Sequence, residues 1–188
     1  NLYALALRTG SDEPKLRERA GRLFGDVDAA IAAYRDETPD ATPDEVWWSM
    51  LTDRISRVPA RQLAAAQVAH RPDDTYLYLF DWASPAFDGR LGSCHALDIP
   101  FVFGSIRHPL ALPFTGFTAS AARLSRRMQG AWVRFARDGD PNHERLPAWA
   151  RYDGRTRATM VFGRSCALER APLEAERRLL ERWTADAA

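Results

Sequence analysis

The chain has 188 residues, 46% of them hydrophobic, and its 26 basic and 25 acidic residues leave a formal net charge of +1. This length suits one domain with a sizeable buried core, and the balanced charge gives no electrostatic reason to expect nucleic acid or an anionic membrane as a partner. No apolar run approaches the ~18 residues of a membrane-spanning helix. The two cysteines form no disulfide framework, and no histidine or cysteine cluster has zinc-ligand spacing.

Helix signals begin the chain. Residues 1–9 are apolar and compatible with a helix. Ser11 or Asp12 can cap a second helix, which we expect Gly25 to stop. Asp26 starts another helix. The apolar stripes of these two helices are Leu16, Ala20, Leu23 and Phe24 in the first, and Val27, Ile31 and Tyr34 in the second.

A further helix starts at residues 42–45, Thr-Pro-Asp-Glu, which have the form of a capping box with proline at the first helical position. Its apolar stripe runs through Val46, Met50 and Ile55. Pro59 is expected to kink or end this helix, because its ring clashes with the preceding turn and it has no N–H to donate. The helical pattern then resumes to about His70.

The first strand signal is at residues 75–82, which follow a turn and are apolar on both faces. This pattern predicts a central strand with a neighbour on each side. The rest of the chain offers only one further convincing strand, Ala158–Phe162. The chain therefore barely supplies the partners that such a strand needs.

Helices dominate the remainder of the chain, after a proline-broken apolar loop at residues 106–116. Thr118 caps the clearest helix, which ends at Asp138 with Gly139 after it. Pro172 opens a final amphipathic helix. Overall the sequence predicts an α/β chain that is mostly helical with a few strands. The apolar stripe of the clearest helix consists of Leu124, Met128, Ala131, Trp132 and Phe135.

One loop carries the residue types of an active site. His95 lies between Gly92 and the apolar run 99–103, in the loop after the first strand. Open α/β sheets place their chemistry at the carboxyl ends of strands, and imidazole suits general acid–base catalysis near neutral pH. The alternative is a structural loop histidine. The adjacent Cys94 suggests either a Cys–His dyad or a small buried thiol, and neighbours in sequence usually point apart.

Four stretches, in order, resemble the type-B carboxylesterases, the α/β-hydrolase family that includes para-nitrobenzyl esterase and the cholinesterases. The resemblance covers nearly the whole chain and is weaker before Asp53. The matching stretches are residues 78–82 (Tyr-Leu-Phe-Asp-Trp), 94–104 (Cys-His-Ala-Leu-Asp-Ile-Pro-Phe-Val-Phe-Gly), 132–142 (Trp-Val-Arg-Phe-Ala-Arg-Asp-Gly-Asp-Pro-Asn), and 146–149 (Leu-Pro-Ala-Trp) followed by Tyr152.

The resemblance implies a serine esterase that works through an acyl-enzyme and needs no cofactor. The family's triad is Ser, Glu and His in chain order, and only the histidine carries over, to His95. The Gly-x-Ser-x-Gly turn of the nucleophile and the glycine-rich oxyanion loop are absent. The acid is expected just before residue 1. Residues 1–188 would thus be the C-terminal segment of a catalytic domain, whose partners are a small-molecule ester and the missing N-terminal part.

Three further residues are candidates near this site. Asp98 either forms a hydrogen bond near the histidine or satisfies N–H groups at the start of a helix. Phe114 and Phe117 line a pocket for the acyl or alcohol group, as loops of the family do, or they are core residues. The same pocket role has weaker support for Trp47 and Trp48.

Other reactive residue types have ordinary explanations. The two cysteines, Cys94 and Cys166, could form a disulfide, but nothing else in the sequence supports this pairing. His70, His108 and His143 fall in predicted turns and loops, where solvated histidine is the default. The chain opens at Asn1 without methionine or a signal-peptide pattern. A truncated or processed N-terminus is therefore expected, and the compartment stays open.

Two other functions compete with the esterase. One is a non-catalytic binding protein that keeps the esterase fold and has lost the triad, as in adhesion proteins of the neuroligin type. The other is a free-standing helical interaction domain. For the esterase, we expect the isolated chain to be inactive, because the acyl-accepting serine is missing from it.

Overall fold

The computed structural model describes residues 10–116 and 118–186, and the chain divides into two compact units. The helical unit contains described residues 10–66 and 172–186, and the sheet unit contains residues 67–116 and 118–171. The helix expected over residues 1–9 lies outside the described residues.

Helices account for most of the secondary structure in this part of the chain. They are α1 (Glu13–Ala20), α2 (Val27–Glu37), α3 (Pro43–Thr52), α4 (Val58–His70), α5 (Ile99–Val102), α6 (Leu112–Thr115), α7 (Ala119–Asp138) and α8 (Glu174–Asp186). The strands are β1 (Leu77–Phe80), β2 (Ala158–Phe162) and β3 (Cys166–Arg170). A π-helical turn, Asp53–Arg57, joins α3 to α4, and a 3₁₀ turn covers Ala86–Gly89.

The helices of the helical unit begin at the polar residues that the sequence indicates. Asp12 and Asp26 each accept a hydrogen bond from the backbone N–H three residues on, at 3.0 Å. Thr42 and Glu45 form the reciprocal capping box. The predicted end of α1 at Gly25 is wrong, because the helix stops at Ala20 and the chain turns from Gly21 onward.

Pro59 changes the helix type without ending the helix. The π-helical turn Asp53–Arg57 comes directly before the first turn of α4, and the helix then runs on to His70. A proline ring clashes with the carbonyl four residues earlier, here that of Ile55, and widening the turn is a way to relieve this clash. The helix therefore does not end at Pro59, and a change from π-helical to α-helical turns marks this position. The expected packing of Ile55 is wrong, because this side chain is 65% exposed.

A buried carboxylate lies in the core of the helical unit. Asp53 is completely buried, and its Oδ2 accepts a hydrogen bond from the Tyr34 hydroxyl at 2.9 Å. Its Oδ1 lies 2.8 Å from Nε of Arg57 in an ion pair. Burial raises the pKa of Asp53, while Arg57 and the tyrosine hydroxyl oppose that rise. The apolar core around it consists of Leu16, Ala20, Phe24, Ala30, Ile31, Tyr34, Val46, Met50 and Leu180.

Asp53→Ala should destabilise the protein by about 3–5 kcal/mol, because it leaves the largely buried Arg57 guanidinium without its counter-charge. The measurement is the free energy of unfolding in urea. The control is Glu18→Ala, which removes a surface ion pair with Arg22 and should cost less than about 1 kcal/mol. Equal losses for the two variants would contradict this account of Asp53.

The sheet unit contains a three-stranded sheet in the order β1-β2-β3. β1 and β2 are parallel, with Leu77 opposite Thr159 and Phe80 opposite Phe162. β2 and β3 are antiparallel. All five residues of β2 are buried, which makes it the central strand here. Among the described residues, β1 pairs only with β2, and its side chains are half-buried.

Two strand predictions are corrected by this sheet. The predicted first strand over residues 75–82 is shorter, Leu77–Phe80. The expectation of only one further strand is wrong, because β3 also pairs with β2. β3 ends in Glu169 and Arg170, both exposed. An edge strand needs only one apolar face, so its sequence pattern is weak.

Helix α7 is the longest helix and packs one face into the core of the sheet unit. Its start at Thr118 and its left-handed glycine cap at Gly139 confirm the sequence prediction. Phe135 was expected in the buried stripe but is 45% exposed, although its ring touches that of Tyr76. The core of this unit consists of Trp82, Leu91, Cys94, Leu97, Phe101, Ile106, Ala121, Leu124, Met128, Ala131, Trp149, Met160 and Phe162.

Candidate active site

The loop that carries His95 is bonded to the carboxyl end of β1. The Ser93 hydroxyl donates to the carbonyl of Phe80, the last residue of the strand, at 2.8 Å. The backbone N–H of Ser84 donates to the carbonyl of Gly92 at 3.0 Å. These bonds hold His95 at the sheet edge where open α/β folds place their chemistry.

The turn around His95 leaves the imidazole exposed between buried neighbours. Cys94 and Leu97 are buried in the core of the sheet unit, whereas His95 is exposed. The backbone N–H of Leu97 closes the turn on the carbonyl of Cys94 at 3.2 Å. Ala96 has a φ of 62°, in the left-handed region that costs a non-glycine residue about 1–2 kcal/mol. The buried side chains on each side offset this strain and hold the imidazole out of the core.

Asp98 anchors the same loop to the sheet. Its Oδ2 accepts a hydrogen bond from the Tyr78 hydroxyl at 2.9 Å, and its side chain does not cap α5. The Tyr78 ring packs edge-on against Trp132, with ring centroids 4.9 Å apart. Burial and the Asp98 carboxylate raise the pKa of Tyr78 above its usual range. Because the phenol therefore stays protonated, it remains a donor to Asp98.

A second loop, residues 105–116, faces the histidine loop. The backbone N–H of Ser105 donates to the carbonyl of Pro100 at 2.9 Å. The buried Thr115 hydroxyl donates to the carbonyl of Ile106 at 3.0 Å and closes the loop on itself. The Ser84 hydroxyl donates to the carbonyl of Phe114. The loop is therefore tied both to α5 and to the segment that follows β1.

The two loops line an open cavity of about 290 Å³, and His95 forms part of its surface. Most of the lining is apolar, so the cavity suits a compact apolar group of a substrate. Within the described residues, the His95 ring has no hydrogen-bond or ion-pair partner. The residues that line the cavity are Cys94, His95, Ala96, Leu97, Ile99, Pro100, Ser105, His108, Leu110, Ala111 and Phe114.

The structure brings together some of the predicted site residues and not others. Phe114 lines the cavity beside His95, whereas Phe117 lies outside the described residues. Trp47 packs against the core of the helical unit instead. Cys94 and Cys166 are both free, so the possible disulfide is absent. Cys94 is a buried thiol, the interpretation favoured over a Cys–His dyad.

The three remaining histidines have three different environments. His70 ends helix α4 rather than lying in a turn. His143 is partly buried and hydrogen-bonded to the carbonyl of Arg127, so the expectation of simple solvation is wrong for it. His108 is exposed, as expected, but also lines the cavity. The sequence feature that could have indicated this cavity position is that His108 lies in the apolar loop directly after the His95 motif.

In residues 10–116 and 118–186, no cluster of three His, Cys, Asp or Glu side chains is placed to bind a metal ion. The helices described in the same ranges are all too short or too polar to cross a bilayer.

An exposed histidine beside an apolar cavity at a strand end, in a sheet whose first pair is parallel, is a site of the kind that open α/β folds carry. The chain belongs to the carboxylesterase family, whose profile matches residues 26–178. It is 30% identical to phenmedipham hydrolase of Pseudarthrobacter oxydans over 156 residues, which are 81% of this chain and 31% of that protein. It is 33% identical to para-nitrobenzyl esterase of Bacillus subtilis over 131 residues, 69% of this chain and 25% of that esterase.

Solved structures agree with the family assignment. A carboxylesterase of Geobacillus stearothermophilus, crystallised at pH 6.2, superposes with a TM-score of 0.79 and 32% identity. The match covers 97% of this chain and 38% of that carboxylesterase. The chain thus spans about a quarter to a third of the length of the two relatives above. It carries the α/β-hydrolase fold only in part.

Tyr78→Phe should loosen the histidine loop, because it leaves the Asp98 carboxylate without its donor. We expect a loss of stability of about 1–3 kcal/mol and faster amide hydrogen exchange in residues 94–98, measured by mass spectrometry. The control is Tyr76→Phe, because the Tyr76 ring packs against Trp149 and its hydroxyl has no partner among the described residues. Equal exchange in both variants would show that the hydrogen bond does not hold the loop.

Proposed function

We propose that His95 is the general base of a serine ester hydrolase and that residues 1–188 form the C-terminal segment of its catalytic domain. The observation that carries the proposal is the exposed imidazole at the carboxyl end of β1, bordering an apolar cavity. Membership of the carboxylesterase family supports ester hydrolysis as the reaction. Para-nitrobenzyl esterase, to which the chain is similar, is a carboxylic ester hydrolase by name.

In this proposal, the imidazole accepts and then returns one proton during acylation of the serine, and again during deacylation. It takes the proton of the serine hydroxyl as the serine oxygen attacks the ester carbonyl, and it then protonates the departing alcohol as the carbonyl–alkoxy bond breaks. Water repeats the sequence on the acyl-enzyme and releases the carboxylic acid. The serine, the triad acid and the oxyanion donors would come from the part of the relatives' length that this chain does not span.

The remaining residues of the site would position the base and receive the substrate. The Tyr78–Asp98 hydrogen bond supports a fixed loop geometry, which general-base catalysis requires because a displaced imidazole cannot reach the serine proton. The apolar lining, Phe114 included, supports an ester with a compact apolar acyl or alcohol group as the substrate. No step of this mechanism needs a cofactor.

His95→Ala, made in the longer polypeptide that contains this chain, should lower kcat on 4-nitrophenyl butyrate by at least about 10³-fold. The physical reason is that the variant lacks the base that is proposed to accept the serine proton. The control is His70→Ala, at the exposed end of α4, which should leave kcat unchanged. An unchanged kcat in His95→Ala would refute the general-base role. Retained ligand binding without any turnover in the parent would favour the binding-protein alternative.

The isolated 188-residue chain should neither hydrolyse a chromogenic ester nor react with a fluorophosphonate probe, because the nucleophile would be outside it. The assay is release of 4-nitrophenol together with labelling on a denaturing gel, with the longer polypeptide as the positive control. Hydrolysis that is lost in His95→Ala but insensitive to the phosphonate would mean a mechanism without a serine nucleophile.

A further inference from the structure

The cavity contains a second histidine whose hydrogen-bonding state is set by its own loop. Nδ1 of His108 accepts the backbone N–H of Leu110 at 3.2 Å. A nitrogen that accepts carries no proton, so the neutral ring has its proton on Nε2. The backbone of His108 is also held, since its N–H donates to the carbonyl of Ser105 at 2.8 Å and its carbonyl accepts from Ala111 at 2.8 Å. The ring is therefore presented as an Nε2–H donor.

His143 shows what the same arrangement does when the donor is used internally. Its Nδ1 accepts the backbone N–H of Arg145, two residues on, at 3.2 Å. Its Nε2 lies 2.9 Å from the carbonyl of Arg127, to which it donates. His108 repeats the first contact, but within residues 10–116 and 118–186 no acceptor pairs with its Nε2. One histidine thus bonds two parts of the fold, and the other lines the cavity and has an Nε2–H donor that no described residue accepts.

The chemistry around His108 defines what would use that donor. The cavity side chains near it in sequence, Leu110, Ala111 and Phe114, are apolar, and so is Ile99 at the start of α5. A compact apolar group would fill this space, and a neutral oxygen carried by that group would be the natural partner of Nε2–H. A neutral acceptor suffices because a neutral imidazole donates without needing a counter-charge.

We propose that His108 determines specificity by selecting esters whose cavity-bound group carries a neutral hydrogen-bond acceptor, such as a ketone or ether oxygen. This inference rests on the proposed function, because it takes the cavity beside His95 to be the substrate site. A hydrogen bond between neutral partners corresponds to a preference of about 3- to 10-fold in kcat/KM over the hydrocarbon analogue.

Two matched substitutions separate the donor from the loop contact. In His108→Asn the side-chain oxygen takes the place of Nδ1 and preserves the contact with the Leu110 N–H, but the amide does not reach as far as Nε2. In His108→Gln the amide nitrogen takes the place of Nε2 and preserves the donor. His70→Ala, far along the chain at the end of α4, controls for loss of a histidine as such.

The test uses the longer polypeptide and two substrate pairs, since either side of the ester can enter the cavity. The acyl pair is 4-nitrophenyl 5-oxohexanoate and 4-nitrophenyl hexanoate, and the alcohol pair is 5-oxohexyl acetate and hexyl acetate. The parent and His70→Ala should prefer the keto ester in at least one pair. His108→Asn should abolish that preference, and His108→Gln should retain part of it.

Equal kcat/KM for the keto and hydrocarbon members of both pairs in the parent would overturn the proposal, as would a preference that survives in His108→Asn. A loss of the same factor for both members of a pair would show a merely structural role and would overturn it too. Failure of the esterase proposal looks different, because turnover would then be absent or would not depend on His95.

Discussion

The hydrogen bond from the Tyr78 hydroxyl to Asp98 joins the sheet to the loop that carries His95. Tyr78 is fixed by its strand partner Met160 on the backbone side and by the Trp132 ring on the side-chain side. Because Asp98 is only three residues from His95, a fixed Tyr78 also restricts the movement of the histidine loop. In the proposed general-base role, such an anchor would keep the imidazole within hydrogen-bond reach of the serine hydroxyl.

The wall of the cavity opposite the histidine depends on a different kind of contact. The Ser84 and Thr115 hydroxyls bond to backbone carbonyls, of Phe114 and Ile106 respectively. Because these bonds do not involve the apolar side chains that face the cavity, the lining can change while the loop keeps its path. The groups that hold the loop in place are thus different from the apolar side chains that line the cavity.

Local chemistry made part of this structure predictable. Thr42 and Thr118 mark helix starts because a side-chain oxygen can satisfy a free N–H whatever the rest of the chain does. The strand Ala158–Phe162 is apolar except for Thr159 because it is buried on both faces. The position of His95 after a strand was predictable because an apolar strand pattern directly precedes its loop. Hydrogen bonds of Ser93 and Gly92 with the segment around the strand end keep the loop there.

The rest depends on contacts between distant residues, which no local pattern contains. β3 has the sequence of a surface segment and becomes a strand only because β2 offers an edge. Asp98 had two equally good local interpretations, and Tyr78, twenty positions away, decides between them. The sequence around His108 predicts an ordinary solvated histidine. The cavity that His108 lines forms only where two loops meet, so the sequence of either loop alone does not predict it.

The parallel pairing of β1 with β2 has a consequence for how the site is assembled. The histidine loop, the opposite wall and α7 all lie in the stretch of chain between these two strands. Closing so long a connection costs entropy before the pairing repays it. Until β2 docks, β1 has no strand partner within the described residues, so damage to β2 should lower the fraction of molecules that reach the folded state.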